Sequence, residues 1–253
     1  MEAWATGLIT LACVLGGALL GLKLQQVLPE HHLDARSQDV VKLVAGLLAT
    51  LSALVLGLLI ASSKSTFDSL GEDFKQSATK VIVADRMLGE YGPETIEARR
   101  LLKQSYSERI ARLFGDQSVS GDVRRVEPAA ASLEAFHRSM RSLAPSTDRQ
   151  RAIVEKVQQL VDDVTATRWH AFEEATSTTP PVFLAVLVSW LVMMFASFGL
   201  FAPRHGTAVA ALFCGSLAVA TSIFLIEEMN RPFGGLIAIP GQPMRDALSV
   251  LGR

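Results

Sequence analysis

Apolar residues in this chain fall into four long runs, two toward each end. Between the pairs the pattern changes to apolar positions recurring at helical steps among many charges. The first two runs cover about 4–28 and 40–61, the second two about 182–201 and 207–226. A helix crosses the hydrocarbon core of a bilayer with about 20 apolar residues at ~1.5 Å rise each, so every run is long enough to span it. The spacing predicts two transmembrane hairpins, 1–61 and 180–229. A helical extramembrane domain over 62–179 lies between them, and a tail over 230–253 carries a short helix near Pro243, Met244 and Leu248.

No strong helix breaker follows the second run. Phe67, Leu70, Phe74, Ala78, Val81 and Leu88 continue at steps of three, four or seven. One helix is therefore expected from about residue 38 to residue 89, leaving the membrane and becoming amphipathic. Gly92 and Pro93 end it. Further helical faces follow: Leu102, Tyr106, Ile110 and Leu113; then Leu133, Phe136, Met140 and Leu143; then Ile153, Val157, Leu160 and Val164. Strand-type alternation is sustained nowhere, so the expected fold class is all-α, an integral membrane protein with four transmembrane helices.

Charge sharpens this division. Residues 62–179 hold 17 of the 24 Lys and Arg and 18 of the 25 Asp and Glu. That domain is near neutral and has no basic block, which argues against nucleic acid as a partner. Cys13 and Cys214 both fall inside spans, as small apolar packing residues rather than a disulfide framework. The N-terminal run lacks a basic leader and is too long for a signal core, so it reads as a permanent span with Trp4 at the interface. Four spans put both termini and the middle domain on one side. Lys64, Lys75, Lys80, Arg168, Arg231 and Arg245 lie near span ends there, against Arg36 and Arg204 on the other side, which places the domain in the cytoplasm. The first hairpin taken alone points the other way, having no Lys or Arg before it and several around its turn.

Enzyme chemistry finds little support. The chain has no phosphate-cradling glycine loop, no GxSxG and no zincin motif. His137 and His170 lie on helices without a nucleophile, and no cofactor is expected. Glu30, His31, His32, Asp34 and Asp39 cluster in the first turn without metal-ligand spacing, so no metal site is expected. Asp85 falls on an apolar helix face and needs a partner. Arg86, or Arg99 or Arg100 across the next turn, can supply it, making a structural clasp between two helices.

The second run has a stripe of small residues, Gly46, Thr50, Ala53, Gly57 and Ala61, at steps of three and four. Such a face most commonly serves close helix packing in lipid, and it also suits the wall of a narrow pore. Gly17 and Gly21 in the first run, and Ala211, Gly215, Ala218 and Ser222 in the fourth, read as packing faces. Lys23 lies late in the first run. It either snorkels to the interface or forms, with Arg36 and Lys42, a vestibule that attracts anions. Glu227 and Glu228 end the fourth run; such a pair can bind a cation or sense pH, and more often marks the water boundary or pairs with a base such as Arg231.

The segment Glu227-Glu228-Met229-Asn230-Arg231-Pro232-Phe233-Gly234, just after the fourth run, resembles the bestrophin family. End to end, the chain is similar to bacterial bestrophin-like membrane proteins. The matching stretches are Leu28-Pro29-Glu30-His31-His32, Asp39-Val40-Val41-Lys42-Leu43, Asp85-Arg86, Tyr91-Gly92-Pro93-Glu94 and Ala196 to Arg204. The resemblance implies a homo-oligomer, pentameric in that family, embedded in a lipid bilayer and conducting small ions, anions among them. It implies that the second span lines the pore, that the middle domain is cytosolic, and that the protein resides in a bacterial inner membrane. Two features depart from the family: Gly235-Leu236-Ile237-Ala238 stands where animal members have a calcium-binding acidic run, and the second span has no phenylalanine for an aromatic neck. The alternative reading is a non-conducting scaffold or sensor whose helical domain binds a partner or ligand.

Overall fold

The computed structural model describes residues 3–29, 35–114, 127–176, 181–203, 205–232 and 234–253, and the side chains of 35–37, 127–130 and 167–181 lie outside that description. Among the described residues there are eight α-helices and no strand: α1 Ala3–Val27, α2 Ala35–Tyr91, α3 Ile96–Phe114, α4 Glu127–Arg141, α5 Asp148–Thr176, α6 Pro181–Phe201, α7 Gly206–Met229 and α8 Gln242–Val250. A single turn of 3-10 helix, Pro93–Thr95, joins α2 to α3. Helices α1, α6 and α7 and the first half of α2 are long and apolar enough to cross a membrane.

No proline interrupts α2, so its 57 residues form one helix. It stops where Gly92 adopts φ 137°, a conformation that favours glycine, immediately before Pro93. At the other end of the polar region Pro181 opens α6, a position where its missing N–H is no loss.

The chain divides into two units. The first comprises 1–66 and 177–230. Its centre is Val14 and Ala18 of α1, Leu187, Leu191, Met194 and Phe195 of α6, and Ile223 of α7, with Ala49, Val55, Leu56 and Leu59 of α2 packed against them. Close approach of α1 and α6 depends on small residues. A Cβ built on Gly21 falls against the Ala196 carbonyl, and one built on Gly199 falls against the Ala18 carbonyl, both inside the 3.0 Å limit of real Cβ contacts. Gly17 lies on the same seam, 2.9 Å by the same construction from the Val192 carbonyl. These helices touch backbone to backbone, as small-residue faces allow in lipid. On α7 the inward residues are Ser216, Ala220, Ile223 and Ile226. Ala211 and Ala218, assigned above to a packing face, are exposed, and Gly215 and Ser222 are half-buried.

The second unit comprises 67–176 and 231–253. Its core takes Leu70, Phe74, Ala78, Val81, Ala84 and Leu88 from α2, Ala98, Leu102, Tyr106 and Ile110 from α3, Phe136 and Met140 from α4, and Ile153, Val157, Val161 and Val164 from α5. Ile239, Met244, Ala247 and Leu251 complete it, so the short α8 is a core element rather than a loose tail. Tyr106 is 3% exposed and its hydroxyl has no hydrogen-bond partner among the described residues. Burial pushes its pKa up to about 12, despite the nearby Arg109 charge. A buried orphan hydroxyl costs about 1–3 kcal/mol. Tyr106→Phe is therefore expected to leave stability unchanged or raise it by about 1 kcal/mol, read as an unshifted or higher melting midpoint. A drop of several degrees would mean that the hydroxyl is satisfied in solution.

Candidate functional site

The helical repeat of α2 separates three faces within the span. Ala45, Ser52 and Ser63 are buried, and Ala49, Leu56 and Leu59 are half-buried beside them. Leu47, Leu54 and Leu58 are exposed on the far side, each more than 60%. Between these faces runs the small stripe, and all five members, Gly46, Thr50, Ala53, Gly57 and Ala61, are exposed. Among the described residues, a Cβ added to Gly46 or Gly57 meets nothing within 4 Å. The contrast with Gly17, Gly21 and Gly199 is physical: those glycines are filled by a neighbouring helix, whereas these lie against none. The Thr50 hydroxyl donates back to the Gly46 carbonyl at 3.0 Å, as threonine commonly does inside an apolar helix. The stripe is thus short in side-chain bulk and carries no charge.

Lys23 on α1 and Lys42 on α2 are exposed. The side chain of Arg36, and His31 and His32 in the same turn, lie outside the described residues. At the end of α7, Glu227 is half-buried and Glu228 is buried. Asn230 caps that helix, its N–H donating to the Ile226 carbonyl at 3.1 Å. The next residues make a turn of their own: the Gly234 N–H donates to the Arg231 carbonyl at 3.3 Å, and the Ile239 N–H to the Pro232 carbonyl at 2.9 Å. Pro232 is buried and Arg231 half-buried, Gly234 is exposed, and Phe233 lies outside the described residues. The turn delivers the buried Ile239 to the core of the second unit.

Asp85, 3% exposed, lies on the inward face of α2. Arg99 of α3 grips it from both sides of the fork, Nε to Oδ1 and Nη2 to Oδ2, each at 2.8 Å. The backbone N–H of Gly252 donates a third bond to Oδ2 at 3.0 Å. The two neighbouring arginines considered from sequence are elsewhere. Arg86 is exposed, and Arg100 holds Glu97 on the surface at 2.6 Å. Only Arg99, one helix turn past the Gly92–Pro93 corner, returns alongside α2 at the level of Asp85. Burial alone would raise the Asp85 pKa; the Arg99 bonds, the Gly252 N–H and the charges of Arg99 and Lys103 outweigh it, and the net shift is downward from 3.8.

That shift fixes a sign. A carboxylate whose folded pKa is lowered stabilises the fold above its unfolded pKa and loses that stabilisation as pH falls through the folded value. The clasp is therefore expected to be intact at neutral pH and to fail only below about pH 4. In Asp85→Asn, this limb of the acid transition, followed by helical circular dichroism, should disappear. An unchanged acid limb would locate the pH dependence elsewhere.

A groove of about 320 Å³ between α4 and α5 is lined by Glu134, His137, Arg141, Gln158 and Asp162. The described residues hold no group of three His, Cys, Asp or Glu side chains arranged to bind a metal ion.

Comparison with known proteins covers nearly the whole chain. A family model described as a bestrophin-like domain matches residues 12–244. No curated protein matches the sequence. Among solved structures, a bacterial bestrophin homologue from Klebsiella pneumoniae aligns with a TM-score of 0.69 at 16% identity, over 97% of this chain and 98% of that one. A point mutant of that homologue aligns with a TM-score of 0.69 at 16% identity, over 100% and 99% of the two chains. At such identities the likeness is one of fold.

Proposed function

This chain belongs to the bestrophin-like family, and from that membership we propose that it assembles into a homo-oligomeric membrane channel for small ions, with the exposed small face of α2 lining the path. One observation carries the reading. Gly17, Gly21 and Gly199 are filled by neighbouring helices; Gly46 and Gly57 are open, as Gly16 and Gly206 are elsewhere, but only on α2 do the open glycines belong to a continuous exposed stripe of small residues, Gly46, Thr50, Ala53, Gly57 and Ala61. In a ring of identical copies, five by the family resemblance, that open face can line a central path without blocking it. Anions are the ions the resemblance suggests, with Lys23, Arg36 and Lys42 as a vestibule that draws them in. The helical domain and both termini lie in the cytoplasm of a bacterial inner membrane on this reading, in accord with the lysine and arginine distribution. No catalytic role is proposed.

The test is reconstitution into liposomes with a halide-sensitive dye, against empty vesicles. Chloride flux well above the control supports the channel. Its absence from a folded oligomer, across pH and with and without calcium, argues for the second reading, a non-conducting scaffold or sensor. A specific feature favours that alternative: the polar groove of Glu134, His137, Arg141, Gln158 and Asp162 mixes both charges on the helical domain. Crosslinking in cells separates the two, since a discrete homo-oligomer fits a channel and a dominant heterologous partner fits a scaffold.

A further inference from the structure

The short helix α8 is held in an unusual way. Its nine residues are too few to stay helical alone, since isolated helices shorter than ~12–15 residues are marginal in water. Apolar contacts supply part of the hold: Met244, Ala247 and Leu251 are almost fully buried in the domain core. At its start, Gly241 lies so close to Phe114 that an added Cβ would come within 2.8 Å of the ring. Phe114 in turn makes an edge-on contact with Phe74 of α2, ring centroids 6.2 Å apart.

The other end is gripped by polar groups, and through its main chain. The Lys103 ammonium donates to the Leu251 carbonyl at 2.7 Å. The Asp85 carboxylate accepts the Gly252 N–H at 3.0 Å. Arg99, while paired with Asp85, also donates through Nη2 to the main-chain oxygen of Arg253 at 2.9 Å. Gly252 has φ 78°, which turns its N–H and the flanking carbonyls toward three different side chains. Three consecutive residues after α8 are thus read by a carboxylate from α2 and two cations from α3. If α8 leaves, Asp85 and Arg99 keep each other. Its departure leaves the Asp85–Arg99 pair intact and uncovers the apolar surface against which Met244, Ala247 and Leu251 pack.

We infer that α8 is a detachable latch: it undocks as a unit from the Asp85–Arg99–Lys103 seat while the rest of the helical domain stays folded. One member of the seat, Asp85, is on α2, the helix that continues into the second span, so the latch acts on the element proposed to line the path; this consequence for conduction rests on the channel reading, whereas the latch itself does not.

Hydrogen exchange on the full chain in lipid, read by mass spectrometry, tests it. In the wild type, α8 amides should exchange together and at least tenfold faster than the core amides of α5 around Val157. Asp85→Asn should speed α8 about tenfold more and leave α5 unchanged. Because Asp85→Asn can fail to fold, Lys103→Ala serves as a second variant. It removes the bond to the Leu251 carbonyl and the Lys103 charge near Asp85 while leaving the Asp85–Arg99 pair, and should speed α8 a few-fold. Arg100→Ala, which breaks surface contacts with Glu97 and Gln104 that lie away from α8, should do nothing to α8. Equal protection of α8 and α5 in the wild type and in Lys103→Ala would overturn the latch, making α8 an inseparable part of the core. Where the wild type conducts, a variant with freed α8 and unchanged flux would sever the latch from conduction and leave the channel reading standing. A wild type that does not conduct would fail the channel reading, with the latch still decided by exchange.

Discussion

Gly57→Leu is expected to reduce ion flux through the reconstituted protein at least tenfold while leaving each protomer folded. The argument rests on what surrounds Gly57. Its Cβ direction is empty to 4 Å and its surface is exposed, so leucine clashes with nothing in its own chain. Leucine also favours the helix over glycine, by about 0.8–1 kcal/mol. A loss of flux therefore cannot be attributed to a broken helix. It would arise where copies meet, because every copy would add four carbons to the same level of a narrow path. Leu54→Ala, on the neighbouring face, is the control, and it should change flux less than Gly57→Leu. Unchanged flux in a Gly57→Leu oligomer of normal size would remove that residue from the path.

The second large effect is on assembly of the membrane unit itself. Gly199→Ala adds one methyl group, yet that methyl would be directed into the Ala18 carbonyl, a backbone atom that no rotamer change can move. The α1 and α6 axes would have to separate, opening the seam that holds Val14, Ala18, Leu187 and Leu191. Overpacking typically costs 1–3 kcal/mol; with rigid backbone on both sides about 3 kcal/mol is expected, along with lower yield of folded protein. Gly21→Ala, which meets the Ala196 carbonyl, should behave alike. Gly16→Ala, one residue from the seam with nothing within 4 Å, should be harmless. Normal thermal stability of both seam variants would show that the helices are farther apart in the bilayer.

Much of this architecture is legible in the sequence, because its causes are local. Four apolar runs, an uninterrupted heptad-like face beyond the second, and a Gly-Pro corner each depend only on neighbours in the chain. Asp85 is conspicuous as a charge on an apolar face, and Arg99 was among three arginines in reach. Choosing between them needs the path of α3 after its corner, which spacing does not provide. Gly21 is visible as a small residue, but its counterpart Gly199 is 178 positions away and pairs with it only through helix crossing. The docking of α8 was least visible. Its apolar pattern is three residues long, and its seat reads carbonyls and N–H groups, which every residue possesses.

The unbroken length of α2 constrains how such a chain can change in evolution. At 57 residues and about 1.5 Å each it is roughly 85 Å long, with no loop along it to absorb a length change. One residue inserted between Phe74 and Ala78 would turn Val81, Ala84 and Leu88 by about 100° relative to Leu70 and Phe74, carrying them off the core face they share. Seven inserted residues would bring the face back to within about 20°. Insertions and deletions in this helix should therefore be tolerated in near-whole turns, so that relatives with a longer or shorter α2 differ by steps such as seven or eleven residues rather than by one or two.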